Sequence, residues 1–182
     1  AELAAKYDIR HGKKTLTDQV EQAGYEFYRG VLQGLFDADG SVQGHQQKGV
    51  SVRLAQSDLN LLKRAQRMLS RLGIMSSLYA ERRAAGTHTL PDGKGSTAEF
   101  SIKAQHELVI SGSNLRLFAQ QVGFRDTRKA ALLSEKLAGY ARQLNRERFS
   151  DEIISIEPDG EEAVYDVTVE NVHAFDANGI LA

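Results

Sequence analysis

The sequence predicts an α+β fold with the element order αββαββα, followed by a short segment made of strands alone. Two hydrophobic periodicities and the Gly- and Pro-rich stretches between them predict this fold. Apolar side chains recur every three or four residues in some stretches, as in helices, and alternate with polar ones in others, as in strands. Stretches rich in Gly and Pro separate them. The 182 residues are 41% hydrophobic and 26% charged, so the chain can bury a core.

The first helix is predicted at Tyr25–Ala38 and ends at Gly40. Its apolar face comprises Phe27, Val31, Leu32, Leu35 and Phe36. Gly30 and Gly34 lie four residues apart in its interior. A glycine inside a helix costs about 1 kcal/mol relative to alanine. We therefore expect these two glycines to serve the close approach of a second helix.

Two strands and a second helix follow. Alternation predicts strands at Ser41–Gly44 and Val50–Leu54. Ser57 or Asp58 caps the next helix, which Gly73 closes. The apolar face of this helix comprises Leu61, Leu62, Ala65, Met68, Leu69 and Leu72. We expect its basic face to be solvated: Lys63, Arg64, Arg67 and Arg71.

Further strands and helices follow. Strands are predicted at Ile74–Arg83, Thr97–Lys103 and Glu107–Ile110, the first two joined by a loop containing Gly86, Pro91, Gly93 and Gly95. Two helices come next, Leu115–Val122 capped by Asn114, and Lys129–Tyr140 capped by Asp126 or Thr127. The last predicted strands are Ile153–Ile156 and Val164–Val169, with a turn at Pro158-Asp159-Gly160.

Charge divides the chain. The net charge is −1, but residues 149–182 contain nine acidic residues and no Lys or Arg, so the first 148 residues carry about +8. We predict a leader or connection at 1–24, the main module at 25–148 and a β segment at 149–182. A basic body suits a polyanionic partner.

Composition excludes several classes of protein. There is no cysteine, which excludes disulfide scaffolds, Cys-ligated zinc and thiol nucleophiles. No apolar run approaches the roughly 18 residues of a membrane span. Residues 1–12 contain no apolar signal-peptide core. We expect a cytoplasmic protein with no membrane partner.

One short sequence motif is specific enough to indicate a protein family. The residues Leu32-Gln33-Gly34-Leu35-Phe36-Asp37-Ala38-Asp39-Gly40 resemble the signature helix of LAGLIDADG homing endonucleases. Tyr25-Glu26-Phe27 before them and Ser41-Val42-Gln43-Gly44 after them also resemble the family. The resemblance continues through the element order to about Tyr140, and it implies an αββαββα endonuclease fold.

The resemblance implies a site at the end of this helix. Family members pack two copies of the helix at a pseudo-twofold axis, which Gly30, Gly34 and Ala38 would line here. Each copy supplies one carboxylate, here Asp39, as the catalytic and metal-binding group. Oxygen ligands suit Mg²⁺ or another divalent cation, which assists phosphodiester hydrolysis. Asp37 matches the other acidic motif position, and we group it with the helix interface in a structural role.

The four strands would form a concave sheet on the DNA major groove. Polar side chains there can hydrogen-bond base edges and phosphates. The outward positions are Ser41, Gln43, His45, Ser51, Arg53, Tyr79, Glu81, Arg83, Ser101 and Lys103. Family members also place a lysine near the last strand, but the matching stretch here, residues 111–114, has none. Lys103 is the substitute that we predict.

The last residues carry a second resemblance. Val164-Tyr165-Asp166-Val167-Thr168-Val169, then His173-Ala174-Phe175 and Asn178-Gly179, resemble the C-terminal splicing block of inteins, which belongs to a Hint-type splicing domain. The resemblance implies that His173 acts as an acid/base in release and that Asp166 tunes it. Lys13-Lys14-Thr15-Leu16-Thr17 most resembles inteins of ribonucleotide reductases. The terminal His-Asn pair is absent, so we expect no splicing by this chain alone.

The predicted function is site-specific cleavage of double-stranded DNA by an intein-encoded homing endonuclease. One motif supplies one carboxylate, so cleavage requires a homodimer or a missing first LAGLIDADG half. Two alternatives stay open. One is a module that binds DNA without cutting, which the missing lysine at residues 111–114 favours. The other is a splicing fragment that acts in trans with an N-terminal intein segment.

Overall fold

A computed structural model describes residues 5–9, 15–45, 48–93, 95–140, 154–158, 160, 161, 163, 176, 177, 180 and 181. The helices are α1 (Asp18–Glu21), α2 (Tyr25–Asp39), α3 (Leu59–Arg71), α4 (Asn114–Gln121) and α5 (Thr127–Ala138). The strands are β1 (Gly40–His45), β2 (Gly49–Gln56), β3 (Ser77–Arg83), β4 (Gly86–Pro91), β5 (Thr97–Ile102), β6 (Gln105–Ser111), β7 (Asp176–Ala177) and β8 (Ile180–Leu181). The α+β class is confirmed.

The central sheet has four antiparallel strands in the order β1-β2-β6-β3. Facing residues Val42, Val52 and Ile110 lie on one side of it, as do Leu54 and Leu108. Of these, all except Val42 are buried, and helices α2, α3 and α4 contact the strands that carry them. The alternation in the sequence therefore reflects one side buried under helices and one polar side.

The polar side of the central sheet carries six of the residues predicted to face outward: Ser41, Gln43, His45, Ser51, Arg53 and Tyr79. Ser41 faces Arg53, Gln43 faces Ser51, and Tyr79 faces Glu107. Exposure is greatest towards the edges of this side, at Gln43, His45 and Tyr79. For β1, β2 and β6, the period in the sequence thus predicted the orientation of the side chains.

The connection between β3 and β6 differs from the prediction. Residues 86–91 were expected in a loop, but they form β4, which pairs with β5 in a separate two-stranded hairpin. The fourth strand of the central sheet is Gln105–Ser111, not Thr97–Lys103. Ser101 therefore lies on the hairpin, and Lys103 lies in the link from β5 to β6. Gly and Pro indicated a break here, but Thr87, Thr89 and Leu90 between them favour a strand.

The helix caps follow the sequence in two cases. Asp58 accepts from the amides of Asn60 and Leu61 at the start of α3, and Asp126 accepts from those of Arg128 and Lys129 at the start of α5. Asn114 is not the cap of α4 that we predicted. It is the first residue of the helix, is buried, and accepts a hydrogen bond from the Met75 amide at 2.9 Å.

The segment before α2 packs against the main module. Leu16 and Val20 belong to the hydrophobic core. Glu21 is buried and contacts Arg67, with 2.5 Å between Oε1 and Nε, and Arg64, with 3.1 Å between Oε2 and Nη1. Arg71 donates to the Glu21 carbonyl at 3.0 Å. The three arginines predicted on a solvated face of α3 thus hold this segment in place. The boundary near residue 24 itself stays a prediction.

The acidic segment is described only in short stretches. Residues 154–156 were predicted as part of a strand, but they form no regular structure, and Ile154 and Ile156 are exposed. The predicted strand at 164–169 lies outside the described residues, while β7 and β8 pair in a two-stranded sheet. Within the part of the chain that the structure describes, no helix is long and apolar enough to cross a membrane.

Candidate functional site

The end of α2 is the centre of the site. Tyr28, Leu32 and Phe36 recur every four residues and bury one side of this helix. The helix ends at Asp39, and the amide of Gly40 donates to the Phe36 carbonyl. A Cβ at position 40 would lie 2.5 Å from that carbonyl oxygen. Only glycine therefore allows the helix to turn directly into β1 at this point.

A second row of side chains on α2 is polar. Tyr25, Arg29, Gln33 and Asp37 recur every four residues and form what we name the polar stripe. Arg29 Nε donates to the Gln121 carbonyl at 2.6 Å, and Gln33 Nε2 donates to the Val122 carbonyl at 2.7 Å. The stripe thus satisfies backbone carbonyls at the C-terminal end of α4, which lack partners within their own helix.

Asp37 continues this stripe. Its Oδ1 accepts from the Arg125 amide at 2.9 Å and from the Asp126 amide at 3.1 Å. The sequence grouped Asp37 with the interface between two helices, but its carboxylate instead ties α2 to the segment before α5. Asp37 thus contacts backbone of the same chain, and its role at an interface between two helices stays a prediction.

The neighbouring row is open. Gly30, Gly34 and Ala38 form what we name the small-residue stripe, and all three are exposed. A Cβ built on Gly30 or Gly34 would meet no atom within 4 Å. Nothing among the described residues covers this stripe closely, so its glycines do not serve close packing within the described chain.

Asp39 is exposed at the end of α2. Its Oδ2 accepts a hydrogen bond of 2.6 Å from Nε2 of Gln56, the last residue of β2. Gln56 was not predicted. The available signal was its position at the end of β2. Because β1 begins beside Asp39 and β2 runs antiparallel to it, the end of β2 lies next to Asp39.

Lys129 is the second residue that the sequence analysis missed. Its Nζ donates to the Asp37 carbonyl at 2.5 Å and to the Phe36 carbonyl at 3.2 Å, at the C-terminal end of α2. A cation is stabilised there by the helix dipole. The lysine was sought at residues 111–114, before α4, whereas Lys129 lies in the first turn of α5. The available signal in the sequence was its position three residues after the cap Asp126, which places it in the first turn of α5.

Asp126 fixes the start of the helix that carries this lysine. Hydrogen bonds from the backbone amides of Lys129 and Arg128 lower the pKa of the Asp126 carboxyl. The carboxylate is therefore ionised at neutral pH and keeps its capping role.

The polar side of the sheet adjoins this site. Arg53 Nη1 lies 3.2 Å from Oε2 of Glu107, and its Nε donates to Ser51 Oγ at 2.9 Å. Arg83 and Lys103 line a cleft of about 550 Å³ with His88 and Gln105, where β3 and β6 lead into the hairpin. The structure thus brings Arg83 and Lys103 together and holds Arg53 in place. The predicted Asp166 and His173 lie outside the described residues.

The donors for a metal ion are limited. The described residues contain no group of three or more His, Asp or Glu that could hold a metal ion. One carboxylate and one amide side chain, Asp39 and Gln56, meet at the end of α2. Carboxylate and amide oxygens suit Mg²⁺. The contact itself is made by the amide nitrogen of Gln56, so its amide oxygen is not engaged by Asp39.

Known proteins resemble this chain well beyond the residues of the site. Residues 26–123, more than half of the chain, match the family described as LAGLIDADG-like domain. Ribonucleoside-diphosphate reductase NrdEB subunit alpha of Bacillus subtilis (strain 168) is 33% identical over 185 residues, which is 99% of this chain and 17% of the relative.

Two further relatives are DNA polymerases. That of Thermococcus hydrothermalis is 30% identical over 196 residues, covering 97% of this chain and 10% of the polymerase. That of Thermococcus litoralis is 30% identical over 193 residues, covering 100% of this chain and 10% of the polymerase. The chain therefore spans less than a fifth of each of these relatives. Members of the matching family bind DNA and are generally nucleases. With its signature helix, its sheet order and the match to residues 26–123, this chain belongs to the LAGLIDADG family.

Proposed function

We propose that this chain is one half of a site-specific endonuclease that hydrolyses double-stranded DNA, completed by a second LAGLIDADG helix. The observation that carries the proposal is the pairing of two features on α2. Its small-residue stripe is open to solvent, and its last residue, Asp39, presents an exposed carboxylate. A second helix packed on that stripe would bring a second carboxylate close to the first.

The second helix has two possible sources. A homodimer would supply an identical α2, and a longer protein would supply a first LAGLIDADG half from the same polypeptide. Either arrangement makes the backbones approach closely, because glycine has no side chain to separate them. The mass of the protein in solution, with and without DNA, distinguishes the two.

Asp39 and Gln56 would hold a divalent cation, for which Mg²⁺ is our candidate. The bound ion would assist formation of the attacking hydroxide and stabilise the leaving oxygen. Gln56 orients the Asp39 carboxylate through the 2.6 Å hydrogen bond. The second donor pair would come from the helix and the strand of the second half, so the metal site would require both halves.

Lys129 would stabilise the negative charge that develops on the phosphate. Its ammonium is fixed by the carbonyls of Phe36 and Asp37, so it is oriented before DNA binds. Lys103, the predicted substitute, lies in the link after β5 and remains a candidate for DNA binding. The alternative of binding without cleavage depended on the missing lysine at residues 111–114, and we propose Lys129 as the group that takes its place.

The polar side of the sheet would face the major groove. It presents Ser41, Gln43, His45 and Tyr79 together with the fixed guanidinium of Arg53. Polar side chains and arginine are the groups that recognise base edges and phosphates. We expect affinity to fall steeply with salt, because phosphate contacts release counterions.

The endonuclease would derive from an intein. Nearly the whole chain matches a stretch in a ribonucleotide reductase subunit and stretches in DNA polymerases, which have different functions, and it covers only 10–17% of each. A segment shared in this way is expected of an inserted element. Splicing in trans through Asp166 and His173 stays a second proposal, supported by the C-terminal sequence pattern alone.

Substitution of Asp39 tests the cleavage proposal. Asp39→Asn keeps the size of the side chain and an acceptor for Gln56, so folding and DNA binding should be retained. Nicking of a DNA library that carries candidate uninterrupted host genes, with Mg²⁺ present, should fall by at least about 100-fold, because a carboxylate ligand is lost. Glu26→Gln, an exposed change on the same helix, is the control. Cleavage by Asp39→Asn at the wild-type rate would refute the proposal.

A further inference from the structure

An irregularity in β3 changes which side of the sheet its side chains occupy. β3 and β6 pair regularly from Ser77 to Tyr79, but the next pair is Arg83 with Gln105. The three residues from Ala80 to Arg82 therefore lie opposite the single residue His106. A bulge of this kind redirects the side chains that it contains.

The bulge brings Arg82 to the polar side. Strict alternation from Tyr79 would place Arg82 on the opposite side, with the helices. Instead its guanidinium carbon lies 5.0 Å from the centroid of the Tyr79 ring, and its Nε lies 3.4 Å from Oε2 of Glu107. Tyr79 and Glu107 face each other on the polar side. The Arg82 side chain is 50% exposed there, so its remaining N–H groups are accessible.

His106 holds the bulge. Glu81 has a φ of +50°, a backbone conformation that residues other than glycine rarely adopt. Its amide donates to Nδ1 of His106 at 2.9 Å, and His106 is 9% exposed. Since the amide is the donor, Nδ1 is the unprotonated ring nitrogen. A strained backbone of this kind persists where its surroundings fix it.

Glu107 holds two arginines on the same surface. Its carboxylate, 13% exposed, contacts Nη1 of Arg53 at 3.2 Å and Nε of Arg82 at 3.4 Å. An arginine oriented in this way can donate two parallel hydrogen bonds to O6 and N7 of guanine in the major groove. The ion pair limits the conformations of Arg82 before any ligand binds.

We propose that Arg82 is a specificity-determining residue that recognises guanine in the DNA target, and that His106 is a positioning residue that keeps it on the DNA-binding side. This rests on the proposed function as a DNA endonuclease. The bulge lies at the same end of the sheet as Asp39, because His106 faces Gln56, which binds Asp39. Arg82 should thus act closer to the cleaved phosphates than Gln43, which lies near the β1–β2 turn.

Base-preference profiles from a randomised duplex DNA library test the proposal. Arg82→Ala should reduce a guanine preference of about tenfold to nearly none at specific positions. His106→Leu should lose preference at the same positions. His106→Asn should retain it, because Oδ1 of asparagine can accept from the Glu81 amide where Nδ1 does now. Gln43→Ala, the matched control, should change positions further from the cleavage point.

A second variant separates positioning from general loss of structure. Adding Glu81→Gly to His106→Leu should restore the guanine preference, because glycine adopts a positive φ without a partner. Glu81→Ala, which removes the same carboxylate without relieving the strain, should not restore it. Rescue by Glu81→Gly but not by Glu81→Ala would indicate that the guanine preference depends on the backbone conformation of the bulge.

Two results for the His106→Leu variant would overturn the inference. One is a profile identical to that of the wild type, and the other is a uniform loss of preference at every position. If the wild-type chain selects no duplex at all, the proposed function fails and this inference fails with it. Selection by the wild type with an unchanged Arg82→Ala profile overturns the inference alone.

Discussion

Two neighbouring rows of α2 have the same four-residue spacing and opposite environments. The polar stripe (Tyr25, Arg29, Gln33 and Asp37) is bonded along its length to residues 121–126 of the same chain. The small-residue stripe, one position further along, meets nothing within 4 Å of the Cβ positions of Gly30 and Gly34. Spacing alone therefore identifies a face of a helix, and the chemistry of its side chains indicates whether its partner lies in the same chain.

The largest effect should come from filling the small-residue stripe. Gly34→Leu has space in the single chain, so the free energy of unfolding should change by less than about 1 kcal/mol. Pairing with a second helix should be lost, and cleavage should fall by at least about 100-fold, because the backbones can no longer approach. Analytical ultracentrifugation and a nicking assay measure the two effects. Ala131→Leu, an exposed change on α5, is the matched control. Normal cleavage by Gly34→Leu would mean that the stripe is not an interface.

The buried ion pairs before α2 should give the next largest effect. Glu21→Gln should lower the free energy of unfolding by about 2 kcal/mol, because it removes the buried carboxylate that Arg64 and Arg67 share. Asp18→Asn, whose side chain is 76% exposed, should cost far less. Urea titration compares the two variants, and equal effects would contradict the assignment of Glu21 as the central anion.

The same pair predicts an acid dependence. The hydrogen bond from Arg67 lowers the pKa of Glu21 below its ordinary value of 4.5, despite the opposing effect of burial. The contribution of Glu21 is therefore complete above pH 4.5 and is lost as the pH falls through the lower pKa of the folded chain. The difference in stability between wild type and Glu21→Gln should shrink in that acid range and stay constant from pH 6 to 8. A difference that grew on acidification would have the wrong sign.

The polar stripe should give intermediate effects. Asp37→Ala removes the acceptor for two backbone amides and should cost about 1–2 kcal/mol, since hydrogen bonds to a charged group exceed neutral ones. Asp37→Asn keeps an acceptor and should cost less. Thermal unfolding measures both. If Asp37→Ala changed pairing but not the stability of the single chain, the stripe would face a second chain after all.

The smallest effect should come from Gln33→Ala. The variant loses one neutral hydrogen bond to the Val122 carbonyl, worth about 1 kcal/mol, and alanine recovers part of this through its helix propensity. Urea unfolding should show a loss below about 1 kcal/mol with unchanged pairing. Gln120→Ala, an exposed change on α4, should be neutral.

Much of the fold could be predicted from periodicity. Val50, Val52 and Leu54 face the helices and Ser51 and Arg53 face away, as alternation requires. Helix α2 ends where Gly40 indicated, because the close contact with Phe36 leaves no room for a side chain. Local rules succeed where one residue or one period decides the conformation.

Other features depend on contacts between residues far apart in the sequence. Lys129 reaches a carbonyl 92 positions earlier, and Gln56 reaches Asp39 across the end of the sheet. Arg82 changes sides because His106, 25 residues away from Glu81, stabilises an uncommon backbone conformation. No period in the sequence contains this information, since each contact depends on how elements far apart in the sequence pack in the folded chain.

The reciprocal bonds between the end of α2 and the start of α5 have a consequence for recombination between LAGLIDADG chains. Asp37 of α2 accepts from backbone amides at the start of α5, and Lys129 of α5 donates to a backbone carbonyl at the end of α2. Each charged side chain is therefore held by the backbone of the opposite helix. The two elements would consequently shift together as a preassembled unit. Because that rigidity is internal to one half, recombination could exchange halves between chains without dismantling the chemistry that each contributes.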